Sequence, residues 1–258
     1  MSSLTYVYCL ARAPRRPALR GVPPGMPGGD DVRILEIPRS GASAPRDWLV
    51  VSTIPESDYG EASLDRGLQD LEWVAPRALA HETVVEHFLS LPAVLPMQLF
   101  TIFKGDQRAI EHVVRDRRRI APIMKRITGK VELGLRLSLN PQAPPAGGAR
   151  ARPQPKSGAD YLTRKREQRD LAQSQLKQAR KHAARIYKAA SAAATAARRR
   201  TATEQEAPGS RLVLDAAFLV PVRRTAAFRA AVNRHARVIA NAGLTVSLTG
   251  PWPAYNFI

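Results

Sequence analysis

The side chains best placed for chemistry are His81, His87 and His112, with Glu82 and Glu86 beside the first two. Such groups can hold a metal or move a proton. A zinc-binding helix sets two histidines four residues apart on one face, whereas His81 and His87 are six apart and point to different faces. The spacing therefore predicts helix-surface histidines hydrogen-bonded locally. Cys9 is the single cysteine, which excludes an internal disulfide and leaves no partner for a zinc site. Inside an apolar run it reads as a small core residue. Gly25-Met26-Pro27-Gly28-Gly29 lacks the lysine and following Ser/Thr of a phosphate loop, and neither a nucleophile elbow nor a paired-carboxylate signature occurs. These residues predict a non-enzymatic protein with no cofactor and no metal.

Charge is the second signal. The 258 residues carry a formal net charge of +18, with 44% apolar and 24% charged residues. A chain of this composition packs a core, and its field attracts polyanions. Much of the excess falls on a stretch from Asp160 to about Arg200, rich in Ala, Gln, Lys and Arg, which predicts a helix on the order of 60 Å long. Along it Ala172, Leu176, Ala179, Ala183, Ile186, Ala190, Ala193 and Ala197 step by four and three, forming one apolar seam. Six of the eight are alanine, so the seam permits close helix approach but buries little area. The seam needs a partner, either within the fold or outside it, and Leu176, Ala179, Ala183, Ile186 and Ala190 are its candidate partner-binding residues. The alternative for residues 160–200 is a basic nucleic-acid-binding module, which the scarcity of aromatics other than Tyr161 and Tyr187 disfavours.

The elements around these residues follow from periodicity. Tyr6–Leu10, Val32–Ile37 and Trp48–Ile54 read as strands, separated by a Pro/Gly-dense loop from Ala13 to Gly29. Leu64, Leu68, Leu71 and Ala75 recur at helical spacing, and Pro76 predicts two helices or a sharp kink there. Ala93–Phe103 reads as an apolar strand. Asp106–Ile127 reads as one helix, with Ile110, Val113, Val114, Ile120, Met124 and Ile127 inward and Gly129 ending it. Val131, Leu133, Leu135, Leu137 and Leu139 alternate without a break, the pattern of a strand. Residues 140–159 hold a Pro/Gly-rich linker, and the loop at Pro208-Gly209 follows the long helix. Arg211–Val220, Ala226–Ala242 and Leu244–Leu248 then read as a closing β-α-β unit, with Asn241-Ala242-Gly243 as the helix stop. The expected class is α+β, with domains at 1–139 and 160–258. No stretch reaches the ~20 apolar residues of a membrane span, so a cytoplasmic protein without a membrane partner is expected.

The last residues, Gly250-Pro251-Trp252-Pro253-Ala254-Tyr255-Asn256-Phe257-Ile258, are similar to the "GPWPPYSFV" terminus of the gas vesicle accessory proteins of the F/L type. Collinear with it, Tyr6-Val7-Tyr8 resembles that family's opening strand. Trp73 with Ala80-His81-Glu82 and Val84-Val85 resembles its first helical segment. Ala93-Val94-Leu95-Pro96 through Thr101-Ile102-Phe103 resembles its "PVLPLRFGTVF" block, Val131-Glu132-Leu133 its next strand, and Ala217-Phe218-Leu219-Val220 its C-terminal "AFLV" strand. The chain departs from the pattern at Gln98, Leu99 and Phe100, where Arg, Phe and Gly are usual, and at Ala254 in place of proline. The resemblance implies an N-terminal ferredoxin-like domain joined to a C-terminal domain with a long helix and sheet. It implies a minor component or assembly factor of the gas vesicle, with the major shell protein and other gas vesicle accessory proteins as partners. The aromatic cluster Trp252, Tyr255 and Phe257, set among Gly250, Pro251 and Pro253, is expected to close the protein's own core.

Overall fold

The structure is a computed structural model, and it describes residues 2–39, 41–139, 158–200, 210–239 and 243–258. The expected linker from Asn140 to Lys156, the Pro208-Gly209 loop and the Asn241-Ala242 helix stop lie outside the described residues. The chain divides into two compact units, one comprising 1–131 with 252–258 and the other 132–251.

The first unit opens with β1 (Ser3–Arg12), β2 (Arg33–Glu36) and β3 (Asp47–Pro55), where the sequence placed strands. With β4 (Ala93–Pro96) they form a sheet of order β2-β3-β1-β4, and each neighbouring pair is antiparallel. That is the strand order of a ferredoxin-like sheet, although a loop rather than a helix joins β1 to β2. The register of β1 against β3 slips between Val7 and Cys9. This bulge at Tyr8 gathers Tyr6, Tyr8, Cys9 and Ala11 into one cluster with Trp48, Val84 and Val85.

The helices depart from their expected boundaries in instructive ways. The break falls not at Pro76 but between α2 (Glu61–Gly67) and α3 (Leu71–His87), after the short α1 (Glu56–Tyr59). Asp70 caps α3 by accepting from the Glu72 N–H. Pro76 is carried in the second turn of α3, close enough to the start that one missing N–H is tolerated. Ala93–Phe103 is not one strand. The chain leaves the sheet after Pro96, turns through Phe100 at φ 64, and rejoins β1 as β5 (Ile102–Phe103). The single helix expected over 106–127 is two, α4 (Asp106–Arg115) and α5 (Arg117–Ile127), broken at Asp116. Val114 faces outward, while Val113, Met124 and Ile127 are buried.

In the second unit β6 (Lys130–Leu139) has the expected alternation, but it pairs within the second sheet, of order β7-β8-β6-β9. Sheet membership therefore places it with the C-terminal elements. The long helix, α6 (Gly158–Ala193), stops seven residues short of its expected end, and Ala196–Arg199 form β7, an antiparallel edge against β8 (Arg211–Pro221). The β-α-β unit is β8, α7 (Thr225–Ile239) and β9 (Leu244–Trp252), with β6 between its two strands. Leu133, Leu135, Leu137 and Phe218 of the sheet pack with Phe228 and Val232 of α7. Within β8 Asp215 is buried and accepts from Arg200 Nε, just beyond β7, at 2.8 Å and from Arg136 Nε of β6 at 3.3 Å.

Candidate functional site

The apolar seam of α6 divides into two parts. Ala179, Ala183, Ile186 and Ala190 are buried in the second unit's own core, and Leu176 packs at its margin. These five expected partner residues are therefore largely occupied within the fold, because small side chains let α6 lie close to its sheet. Ala193 is half-buried, and Ala197 has left the helix for β7. N-terminal to Leu176 the helix is exposed along nearly its whole length, Ala172 included. There Tyr161, Leu162 and Leu171 are 54%, 63% and 59% exposed. Arg166 and Arg169 stand among them, with Lys165 5.9 Å from the centre of the Tyr161 ring. A shallow groove of about 610 Å³ follows, lined by Gln173, Leu176, Lys177, Arg180, Lys181 and Ala184. This stretch is an outward surface studded with large apolar side chains, of mixed charge where Asp160, Glu167 and Asp170 stand among the basic residues and cationic from Lys177 onward.

The C-terminal residues belong to the first unit. Gly250-Pro251 is a cis peptide at the end of β9. Pro253, Ala254 and Phe257 are buried, the Tyr255 hydroxyl donates to Glu82 of α3 at 2.9 Å, and Arg126 of α5 donates to the Phe257 carbonyl at 3.0 Å. Burial raises Glu82 above the usual carboxylate range, against the lowering effect of the Tyr255 hydrogen bond. Trp252 alone of the tail aromatics is largely outward, at 38% exposed.

His81 is not a surface histidine. It is 3% exposed, and its Nδ1 lies 2.7 Å from the Tyr6 hydroxyl. That hydroxyl also accepts from the Phe100 N–H at 3.3 Å, which directs its own proton to Nδ1, and the His81 ring forms a further hydrogen bond with the Met97 backbone. Desolvation lowers the imidazole to about 4, so it is neutral. The residue clamps the turn between β4 and β5 to the sheet. In that turn Phe100 stacks on Trp73, with ring centres 5.5 Å apart, and Arg77 lies 3.8 Å from the Trp73 ring centre. Sequence patterning missed the clamp because Tyr6 and His81 are 75 residues apart. Among the described residues no group of three or more His, Cys, Asp or Glu is placed to hold a metal ion. Burial pushes the Cys9 thiol well above its ordinary value, which fits a core residue.

Still within the first unit, β1, the segment after β2, and helices α4 and α5 enclose a cleft of about 580 Å³. Leu10, Ile37, Val113 and Ile120 line it, and Arg12, Arg39, Arg117 and Lys125 supply its cations. Its carboxylate, Asp47, is gripped by Arg12 through two hydrogen bonds of 2.7 and 2.9 Å. Composition announced the excess charge, but only the fold brings residues from these separate segments together.

The two α+β units thus carry an exposed helix face and a basic-rimmed apolar cleft, with the tail folded into the first unit. The chain belongs to the GvpL/GvpF family of gas vesicle synthesis proteins, whose family model matches residues 4–258. It is 30% identical to gas vesicle protein L of Streptomyces sp. (strain CB03234) over 98% of this chain and 92% of that protein. The fold is similar to that of the crystal structure of GvpF from Anabaena sp. PCC7120, with a TM-score of 0.67 at 12% identity, covering 99% of this chain and 96% of that one. It is likewise similar to GvpF from Microcystis aeruginosa, with a TM-score of 0.64 at 14% identity, covering 100% and 99% of the two chains.

Proposed function

We propose that this member of the family is an assembly factor, not a catalyst, that binds the major gas vesicle shell protein, limits its aggregation and helps nucleate the vesicle wall. The observation that carries this reading is the uncovered first half of α6, where Tyr161, Leu162 and Leu171 stand outward among charged residues of both signs. A shell subunit with a large apolar face aggregates unless that face is covered before it joins the wall. A helix offering apolar side chains within a charged surround covers such a face while keeping the complex in solution. Other gas vesicle accessory proteins meet the same chain during assembly.

The test is co-expression with the major shell protein, scoring soluble and co-purifying shell protein after sedimentation. Wild type keeps the shell protein soluble, and Leu162→Glu with Leu171→Glu, both at exposed positions that leave the fold intact, lowers the soluble fraction. Equal solubility with and without wild-type chain rejects the chaperoning role. Strong, salt-sensitive binding to arbitrary DNA without shell-protein binding replaces it with nucleic-acid recognition by α6.

A further inference from the structure

The cleft in the first unit is not used by the α6 reading, and its chemistry specifies a ligand. Leu10, Ile37 and Val113 lie almost fully buried beneath the cleft, and the apolar floor that a ligand meets is supplied by the half-buried Ile120 and Ala44 with the exposed Pro38, Pro45 and Ala121. Arg39, Arg117 and Lys125 stand at the opening. Asp47 does not neutralise them, because its two oxygens are taken up by Arg12. Arg39 donates to the Ala42 carbonyl at 2.7 Å and Arg117 to the Pro38 carbonyl, both neutral acceptors, and among the described residues no carboxylate forms an ion pair with either. A cleft of this volume holds a few side chains rather than a whole helix. An apolar floor wants apolar side chains, and a rim of two guanidiniums and an ammonium wants carboxylates.

We infer that this cleft is a docking site for a short acidic segment of a partner protein, one that inserts one or two apolar side chains between α5 and the β2–β3 connection and sets flanking Asp or Glu residues against Arg39, Arg117 and Lys125. Charge complementarity calls for an anionic partner, and the apolar lining selects a protein segment over a nucleic acid, because phosphodiester strands offer no aliphatic side chain. The inference is independent of the reading of α6, and its variants lie in the other unit.

The test selects a random dodecapeptide library against the immobilised full chain, then measures synthesised winners by fluorescence anisotropy at physiological ionic strength. Ala121→Trp fills the cleft from an exposed position on α5 without changing charge, and Arg117→Glu with Lys125→Glu reverses the rim. Arg15→Glu with Arg118→Glu makes the same change in net charge outside the cleft. Winners are expected to join Asp or Glu to Leu, Ile, Val or Phe, to bind both cleft variants about tenfold more weakly, and to bind the control pair as they bind wild type. Equal weakening by the control pair assigns binding to the general field of the chain and overturns the inference. So do winners indifferent to Ala121→Trp, failure to enrich any peptide, or tight binding of decanoate in the cleft without peptide binding, which assigns it to lipid carboxylates.

Discussion

The Tyr255 hydroxyl donates to the Glu82 carboxylate at 2.9 Å, fastening the last turn of the chain to α3 across 173 residues of sequence. Both groups are partly withdrawn from water, so the pair lends the first unit stability that a free tail would not. Tyr255→Phe keeps the ring and removes the donor. It is expected to cost about 1–2 kcal/mol, since the acceptor is a partly desolvated carboxylate. Denaturant melting of the two proteins measures this.

His81 makes stability depend on pH. Its folded value of about 4 lies below the ordinary 6.5, so the unfolded chain binds the proton more readily. The contribution is complete above pH ~6.5, falls as pH drops through the interval to about 4, and is flat below it. The full loss is on the order of 3 kcal/mol. Melting His81→Gln beside wild type between neutral pH and pH ~5.5 isolates the slope, because carboxylates titrate mainly below that window. The wild type loses stability there and the variant loses less.

Phe100 occupies a left-handed backbone conformation at φ 64 and stacks on Trp73. Phe100→Ala loses the stack and keeps the strain, whereas Phe100→Gly loses the stack and relieves it. The glycine variant is expected to be about 1 kcal/mol more stable than the alanine variant, with both below wild type. A reversed order of the two midpoints would show that the turn relaxes when the ring is removed.

Ile186 and Leu171 lie on the same helix with opposite surroundings. Ile186 is 1% exposed in the second core, and Leu171 is 59% exposed. Ile186→Ala is expected to cost about 2–4 kcal/mol, and Leu171→Ala to stay within about 0.5 kcal/mol. Thermal melts of the two variants decide it.

Asp215 pairs with Arg136 and Arg200 and is buried within β8. Removing the buried acceptor breaks both ion pairs while the two arginine side chains, 42% and 29% exposed, keep access to water, so Asp215→Ala is expected to destabilise the second unit by about 1–2 kcal/mol. Hydrogen exchange of β7 and β8 amides reports the local loss.

Much of this fold was legible from local patterns. The alternation of Val131–Leu139, the β-branched runs of β1 to β3 and the helix-forming composition of α6 each follow from one element's period, and the tail motif with its collinear companions identified the family. Such signals survive without tertiary context because each repeats within a few residues. Pro76, the break at Asp116 and the turn at Phe100 were not legible in the same way. A proline's cost depends on its distance from the helix start, and a strand ends where its neighbour does.

The sequence by itself determined the type and approximate place of most elements, the charge and the family resemblance. Tertiary structure decided which faces remain outward. The alanine seam promised a partner, and the partner turned out, from Ala179 onward, to be the helix's own sheet. N-terminal to Leu176 the same helix is exposed. Burial of His81, the tail's attachment to the first unit and the cleft each depend on residues distant in the chain converging. Period and composition carry no information about that convergence, because it is set by which strands pair and which helices cover them.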